Sequence, residues 1–347
     1  MNPPQQQPRK SVTLETVANE AGVHVATAAT VLNGAKSNTR VSPETRRRVL
    51  DASERLGYRP NRLAQNLRRQ CTRTIGLVAG TVENPFFAHM ATLCEGYLLD
   101  AGYELVMAMD AGRYRDDRAL IETVIDRGVD GLIVWNGRET EGRRLVERGL
   151  DLPVVIGGFP SEAVDSVAVD FEWGSRLAVE HLLEQGRSDI AFLCPSEAQL
   201  LCTAKMRQDG YEDVLERHRL EPRIFTYEGT LGDIGPARAA AEAIGRSDDC
   251  PDALFCFNDL VAIGAMMGLR RAGKSLPRDV ALVGFDNIPM AAELDVPLSS
   301  VDMPIADVCR VAVEMLLQRL RGVEGDPREA VVHPVLYPRA SSRRVEG

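Results

Sequence analysis

The sequence predicts a small all-α head joined to a large α/β body built from two doubly wound parallel sheets. Three observations carry this. Residues 12–57 hold three short helical patterns separated by glycine turns. From residue 74 onward, short apolar runs alternate with amphipathic stretches, the pattern of repeated β/α units. Charge divides at the same place: through Arg73, thirteen Lys and Arg face five Asp and Glu, a net of +8, so the rest must carry −17 of the overall −9. A basic head on an acidic body fits a head that meets a polyanion and a body that does not; a merely solvated basic face is the competing reading.

A chain of 347 residues, 44% hydrophobic and 26% charged, is long enough for two or three domains with a substantial core. It has no run of eighteen apolar residues, so no membrane span is expected. Residues 1–10, MNPPQQQPRK, lack an apolar signal core and read as a disordered tail, which points to the cytoplasm. The seven cysteines are scattered without a CxxC pair and the five histidines show no zinc spacing; reduced thiols and no metal or cofactor are expected.

In the head, Thr13 is placed to cap a first helix from Leu14 to Ala21, with Gly22 in the turn after it. A second helix runs from Val25 to Asn33, with Gly34 at its C′ position. Two helices joined by so short a turn form a helix-turn-helix, whose second helix enters a DNA groove. Ser42-Pro43-Glu44 starts a third helix: a capping hydroxyl, proline at the first position, an acid in the first turn. It buries Val49, Ala52 and Leu56, and Gly57 ends it. The next segment, residues 58–69 (YRPNRLAQNLRR), is basic, with one apolar stripe of Leu63, Ala64 and Leu67. So short a helix is marginal alone and gains stability only against a partner. Leu67 either wedges between base steps or packs within a linker helix.

From Val12 on, the chain resembles the LacI/GalR family of bacterial transcription regulators. The matching pieces are VTLETVANEAGV, ATVLNG, RVSPETRRRV, LGYRPN and LAQNLRR. The resemblance implies a homodimer on operator double-stranded DNA, with the second helix in the major groove and paired hinge helices in the minor groove. It implies DNA contacts at Thr13, His24, Val25, Ala26, Thr27, Thr30, Asn33 and Arg40, and at Asn61, Ala64, Leu67 and Arg68 of the hinge. Departures matter. Where the family often has a base-reading arginine, this chain has Thr30, which cannot make the bidentate guanine contact. A phosphate-binding serine is replaced by Ala29. Base reading is therefore expected to shift to His24, Val25 and Ala26.

In the body, strands are expected at 75–79, 104–109, 131–134 and 153–156, then at 190–194, 224–227, 253–257 and 280–285. The landmarks ENPFFAHM, RGVDGLIV, LPVVI, DSVAVDFEWGSRLAVEHLLEQG, RQDGY, FNDLVAIGAM and LPRDVALVGFDNIPMA resemble the family's periplasmic-binding-protein-like effector domain. Expected boundaries are a helix-turn-helix domain at 11–60, a hinge at 61–73, the body at 74–340 and a tail at 341–347. The N-subdomain takes 74–170 and 300–330, the C-subdomain 171–299 and 331–340.

The resemblance places a small-molecule effector, a sugar or sugar acid, between the subdomains. Arg207 would present its guanidinium fork, Asn258 an amide suited to a hydroxyl, and Asp286 a carboxylate that accepts from ligand hydroxyls or N–H groups. Asn258 and Asp259 also compete for the cap of the following helix, with Asp259 the expected cap. Phe86, Trp135, Asn136 and Leu231 are candidates for the remaining wall; Trp135 either stacks on a sugar face or fills the core. After LPVVI many members carry an Asp, whereas here Gly157-Gly158 follow, which removes an acceptor and is expected to open space. Control by a protein partner or a non-sugar ligand is an alternative, as is an enzyme on the α/β body. Against an enzyme, there is no GxGxxG after a strand, no GxSxG and no HExxH.

Overall fold

A computed structural model describes residues 12–33, 41–58, 71–109, 117–135, 145, 149–150, 152–196, 202–230 and 232–344. The chain divides into two compact units at Thr72/Arg73.

In the first unit, helices α1 (Leu14–Glu20), α2 (Val25–Asn33) and α3 (Pro43–Leu56) enclose a small core. Local chemistry sets their ends. Thr13 and Thr16 form a reciprocal cap: the Thr16 N–H donates to Thr13 Oγ1 at 3.2 Å, and the Thr13 N–H to Thr16 Oγ1 at 3.4 Å. Ser42 Oγ accepts the Thr45 N–H at 3.2 Å, and Gly57 ends α3 at φ +62°, where a Cβ would be strained. Val17, Ala18, Ala28, Val49 and Ala52 are fully buried, and Leu14, Val23, Val25, Leu32 and Leu56 pack around them. Alanines at the contacts let three short helices approach closely.

The second unit begins with β1 (Thr74–Ala79), α4 (Pro85–Asp100), β2 (Glu104–Met109), α5 (Asp117–Ile125), β3 (Gly131–Trp135), β4 (Val154–Gly158) and β5 (Asp165–Val169). It continues with α6 (Phe171–Glu184), β6 (Ile190–Pro195), α7 (Cys202–Arg217), β7 (Arg223–Tyr227), α8 (Ile234–Arg246), β8 (Ala253–Cys256), α9 (Asp259–Arg271) and β9 (Ala281–Phe285). Last come β10 (Ser299–Asp302), α10 (Ile305–Leu320), β11 (Glu329–Val332) and β12 (Val335–Tyr337). Two six-stranded sheets result, ordered β11-β5-β4-β3-β1-β2 and β12-β10-β9-β8-β6-β7, parallel except for β12. Their central strands are buried end to end, as sheets covered on both faces require.

Sheet membership corrects the expected subdomain boundaries. Residues 299–302 pair with β9, Ser300 opposite Gly284, and so belong to the second sheet rather than returning to the first at 300. Residues 329–332 pair with β5, Ala330 opposite Val167, and so belong to the first sheet rather than passing to the second at 331. The chain changes lobe at Met303-Pro304 and His333-Pro334, because a strand must complete the ladder of a neighbour that its own sequence does not reveal. Asp165 fastens the crossing segment: its oxygens meet Arg319 Nη2 at 2.7 Å and Arg328 Nη2 at 2.6 Å, and accept the Arg328 N–H at 2.9 Å.

Candidate functional site

The head presents one face of α2. Ala28 and Val31 turn inward, while His24 and Ala26 are exposed and Thr27, Ala29 and Thr30 half-exposed. His24 precedes the helix, its Nδ1 accepting the Ala26 N–H at 3.2 Å, which leaves the proton of a neutral ring on Nε2. Thr30 turns its hydroxyl back to the carbonyl of Ala26 at 2.9 Å, a bond made within the helix. Val25, expected on the reading face, is half-buried against the head's core. Asn33 closes α2. Thr13 is exposed but its hydroxyl is tied to Thr16. Arg46, Arg47 and Arg48 add exposed positive charge on α3. Arg40, Asn61, Ala64, Leu67 and Arg68 lie outside the described residues.

In the body, the C-terminal ends of both sheets face one cleft. The first lobe supplies Asn84, Phe86, Phe87 and Trp135; the second supplies Phe171, Thr203, Arg207, Phe257, Asn258 and Asp286; Met303 lies at the crossing. Asn84 caps α4, its Oδ1 accepting the Phe86 N–H at 3.0 Å, and this cap aims the first turn of α4 into the cleft. Thr203 and Arg207 stand four residues apart on one face of α7. Arg207 is almost completely buried, its guanidinium 4.2 Å from the ring centre of Phe285, 4.4 Å from Phe257 and 4.8 Å from Phe171. Such desolvated cation–π contacts replace hydration that burial removes.

Asp286 lies opposite, its Oδ1 3.6 Å from Arg207 Nη2, and its Oδ2 accepts from Asn84 Nδ2 at 3.4 Å across the lobes. Burial pushes Asp286 up to about 6, against the pull of Arg207 and Asn84. Burial also lowers Arg207 to about 10, opposed by Asp286 and Asp259, so it is charged at neutral pH. Among the described residues Arg207 Nε has no hydrogen-bond partner. A long ion pair and an unsatisfied buried donor are the signature of groups that gain by meeting a polar ligand. The cavity left between them is only about 20 Å³ for the centres of water-sized molecules, room for about one water. Admitting a metabolite therefore requires the lobes to part.

Two expectations are corrected. Asn258, not Asp259, caps α9, accepting the Val261 N–H at 2.9 Å from an extended backbone; the helix starts one residue earlier than a cap at Asp259 needs. The glycine at 157 opens no space, because the Trp135 indole fills it: a Cβ at Gly157 would lie 2.3 Å from that ring. Trp135 is buried, lines the cavity and sits 5.9 Å from Phe86. The structure brings Phe86, Trp135, Arg207, Asn258 and Asp286 together; Asn136 and Leu231 lie outside the described residues. Sequence reasoning does not reach Asn84, Phe87, Phe171, Thr203, Phe257 or Met303. The signals present were the Asn-Pro helix start at 84–85 and the four-residue spacing of Thr203 from Arg207.

Residues 13–61 match the model of the bacterial regulatory proteins of the lacI family, and residues 179–342 that of the periplasmic binding protein-like domain. The HTH-type transcriptional repressor PurR of Vibrio atlanticus is 31% identical over 333 residues, covering 95% of this chain and 98% of that protein. The chain belongs to the lacI family of bacterial regulatory proteins. The PurR repressor of Aliivibrio salmonicida is likewise 31% identical, over 96% of this chain and 99% of its own. Among solved structures, the Lac repressor dimer bound to operator superposes with TM-score 0.84 at 24% identity, over 96% and 100% of the two chains, a likeness of fold. The transcriptional regulator CelR in complex with cellobiose is 29% identical, with TM-score 0.68 over 95% and 99%. This family member is thus a DNA-binding transcriptional regulator controlled by an effector. Its head is the DNA-binding element and its body the ligand-binding one. Its relatives are transcriptional repressors.

Proposed function

We propose that the protein is a homodimeric, non-enzymatic repressor of a pseudo-palindromic operator, released or recruited by a small sugar or sugar acid held between the lobes. The carrying observation is the buried Arg207–Asp286 pair, which offers a positive fork and a carboxylate among aromatic walls and is left incompletely satisfied. A sugar ring has C–H faces for Phe86 and Trp135 and hydroxyls for Asp286 and Asn258; a sugar acid adds a carboxylate for Arg207. Effector binding would alter lobe closure and, by linkage, operator affinity, which requires different affinities for the two states. On DNA, the reading falls to His24, Ala26, Thr27 and Thr30, with Thr13, Asn33 and Arg40 on the backbone and the hinge residues Asn61, Ala64, Leu67 and Arg68 in the minor groove.

A thermal-shift and calorimetry panel of mono- and disaccharides, their uronic acids and nucleosides tests the effector class. Arg207→Met should abolish the response to whichever compound binds and leave DNA binding intact; a normal response in that variant removes Arg207 from the site. One observation favours a second reading. The wall position that lacks an acid is occupied by the Trp135 ring, so a flat heterocycle stacked between Phe86, Trp135 and Phe257 fits the same polar pair. Nucleoside binding without sugar binding in the panel would select it.

A further inference from the structure

Asp259 is completely buried, yet it neither caps α9 nor lines the cleft cavity. Its two oxygens converge on one short segment. Oδ2 accepts the Ile288 N–H at 2.8 Å, and Oδ1 accepts the Ser300 hydroxyl at 2.6 Å. Ser300 Oγ in turn accepts the Asn287 N–H at 3.0 Å. The segment so gripped follows β9, and in it Asp286 and Asn287 have φ of +104° and +49°. Two successive non-glycine residues in left-handed backbone persist only where the surroundings over-determine them. Gly284 supplies the room for this grip, since a Cβ there would lie 2.2 Å from Asp259 Oδ1. The Asp286 N–H is itself held by the Val301 carbonyl at 2.9 Å, so the turn is pinned from both α9 and β10.

We propose that Asp259 is the positioning residue of the effector site: through the Ile288 N–H and the Ser300 hydroxyl it holds the left-handed Asp286–Asn287 turn, and so fixes the Asp286 carboxylate against Arg207. The proposal rests on the effector reading above and adds the residue that sets its geometry. Asp259 touches neither the cavity nor, by this account, the ligand. Both of its partners donate to it, which a carboxylate satisfies with two acceptor oxygens. An asparagine offers one acceptor and turns an N–H₂ toward either the Ile288 N–H or the Ser300 hydroxyl.

The turn's hold is readable without any ligand. The titratable groups around Asp286 are Arg207 from α7, Asp302 from β10 and Asp259 from α9, whose own carboxyl burial and Asp286 push well up, with the Asn84 amide beside them. Burial at that spot pushes Asp286 up to about 6, and the carboxylate keeps that environment only while the turn holds. The chain has two tryptophans, so in the full-length Trp173→Phe protein the emission of Trp135 on the cavity wall reports the cleft alone. Titrated from pH 4.5 to 8, it should show a midpoint near 6 that Asp286→Asn removes. Asp259→Asn and Ser300→Ala should each lower that midpoint by one unit or more. Amide exchange of the 285–289 segment should also quicken at least tenfold in both. An unchanged midpoint in both variants overturns the proposal, as does a Trp135 signal with no Asp286-dependent midpoint. Should Asp259→Asn fail to fold, Ser300→Ala, which deletes one hydroxyl, decides. Because no ligand enters this assay, its failure is separate from that of the effector reading, which Arg207→Met tests with the compound panel.

Discussion

Replacing Asp165 with Asn should cost the body stability in a way that depends on pH, and the window can be worked out. Asp165 is buried between Arg319 on α10 and Arg328 before β11. Burial alone would raise its pKa, but the hydrogen bonds from Arg319, Arg328 and the Arg328 backbone outweigh it and lower the carboxyl from 3.8 to about 2. A depressed folded-state value stabilises the fold above the unfolded value, near pH 4, and that stabilisation is lost as pH falls through about 2. Holding the carboxyl at about 2 rather than 3.8 is worth roughly 2.4 kcal/mol. Asp286 works in the opposite sense: held near 6, it is a destabilising charge at neutral pH that protonation relieves between pH 6 and 4. The raw stability curve therefore mixes both, and the difference between wild type and Asp165→Asn isolates the first. Urea unfolding followed by circular dichroism should show that difference shrinking by about 1.6 kcal/mol between pH 5 and pH 2.5. A difference that stays constant across this range would refute the reasoning, since the clamp would then act through shape rather than charge.

Gly157→Ala should be felt at the cleft wall, because its new methyl meets the Trp135 ring; overpacking of this kind costs about 1–3 kcal/mol. Chemical denaturation and a shifted Trp135 emission, read in the Trp173→Phe background, check it. Ser42→Ala removes the side-chain cap of α3 and should lower the head's stability by about 1 kcal/mol, measured by thermal unfolding. Operator binding should weaken steeply with salt, as for any protein that displaces counterions from phosphates; a flat dependence in fluorescence anisotropy would exclude the basic head as the DNA-binding element.

What the sequence by itself determined was local. The caps at Thr13, Ser42 and Gly57 are legible because a hydroxyl or a glycine acts on backbone within a few residues. Buried strands such as 75–79 and 131–135 are legible because covered sheets select continuous apolar runs. The Arg207, Asn258 and Asp286 positions were reached through motif resemblance rather than through any pattern of their own. Tertiary structure decided everything that depends on a distant partner. A helix arginine reads as a surface residue until phenylalanines from α6, β9 and the end of β8 close over it. Gly157 reads as a lost acceptor until Trp135, from a neighbouring strand, occupies its space. Residues 299–302 and 329–332 read as crossings until ladder pairing assigns each to its sheet. The roles of Asn258 and Asp259 are one residue apart and separate only once Ser300 and Ile288, 41 and 29 residues away, claim the carboxylate. Capping and periodicity are written in consecutive residues, whereas burial, pairing and the aim of a side chain are set by contacts the chain makes only after it has folded.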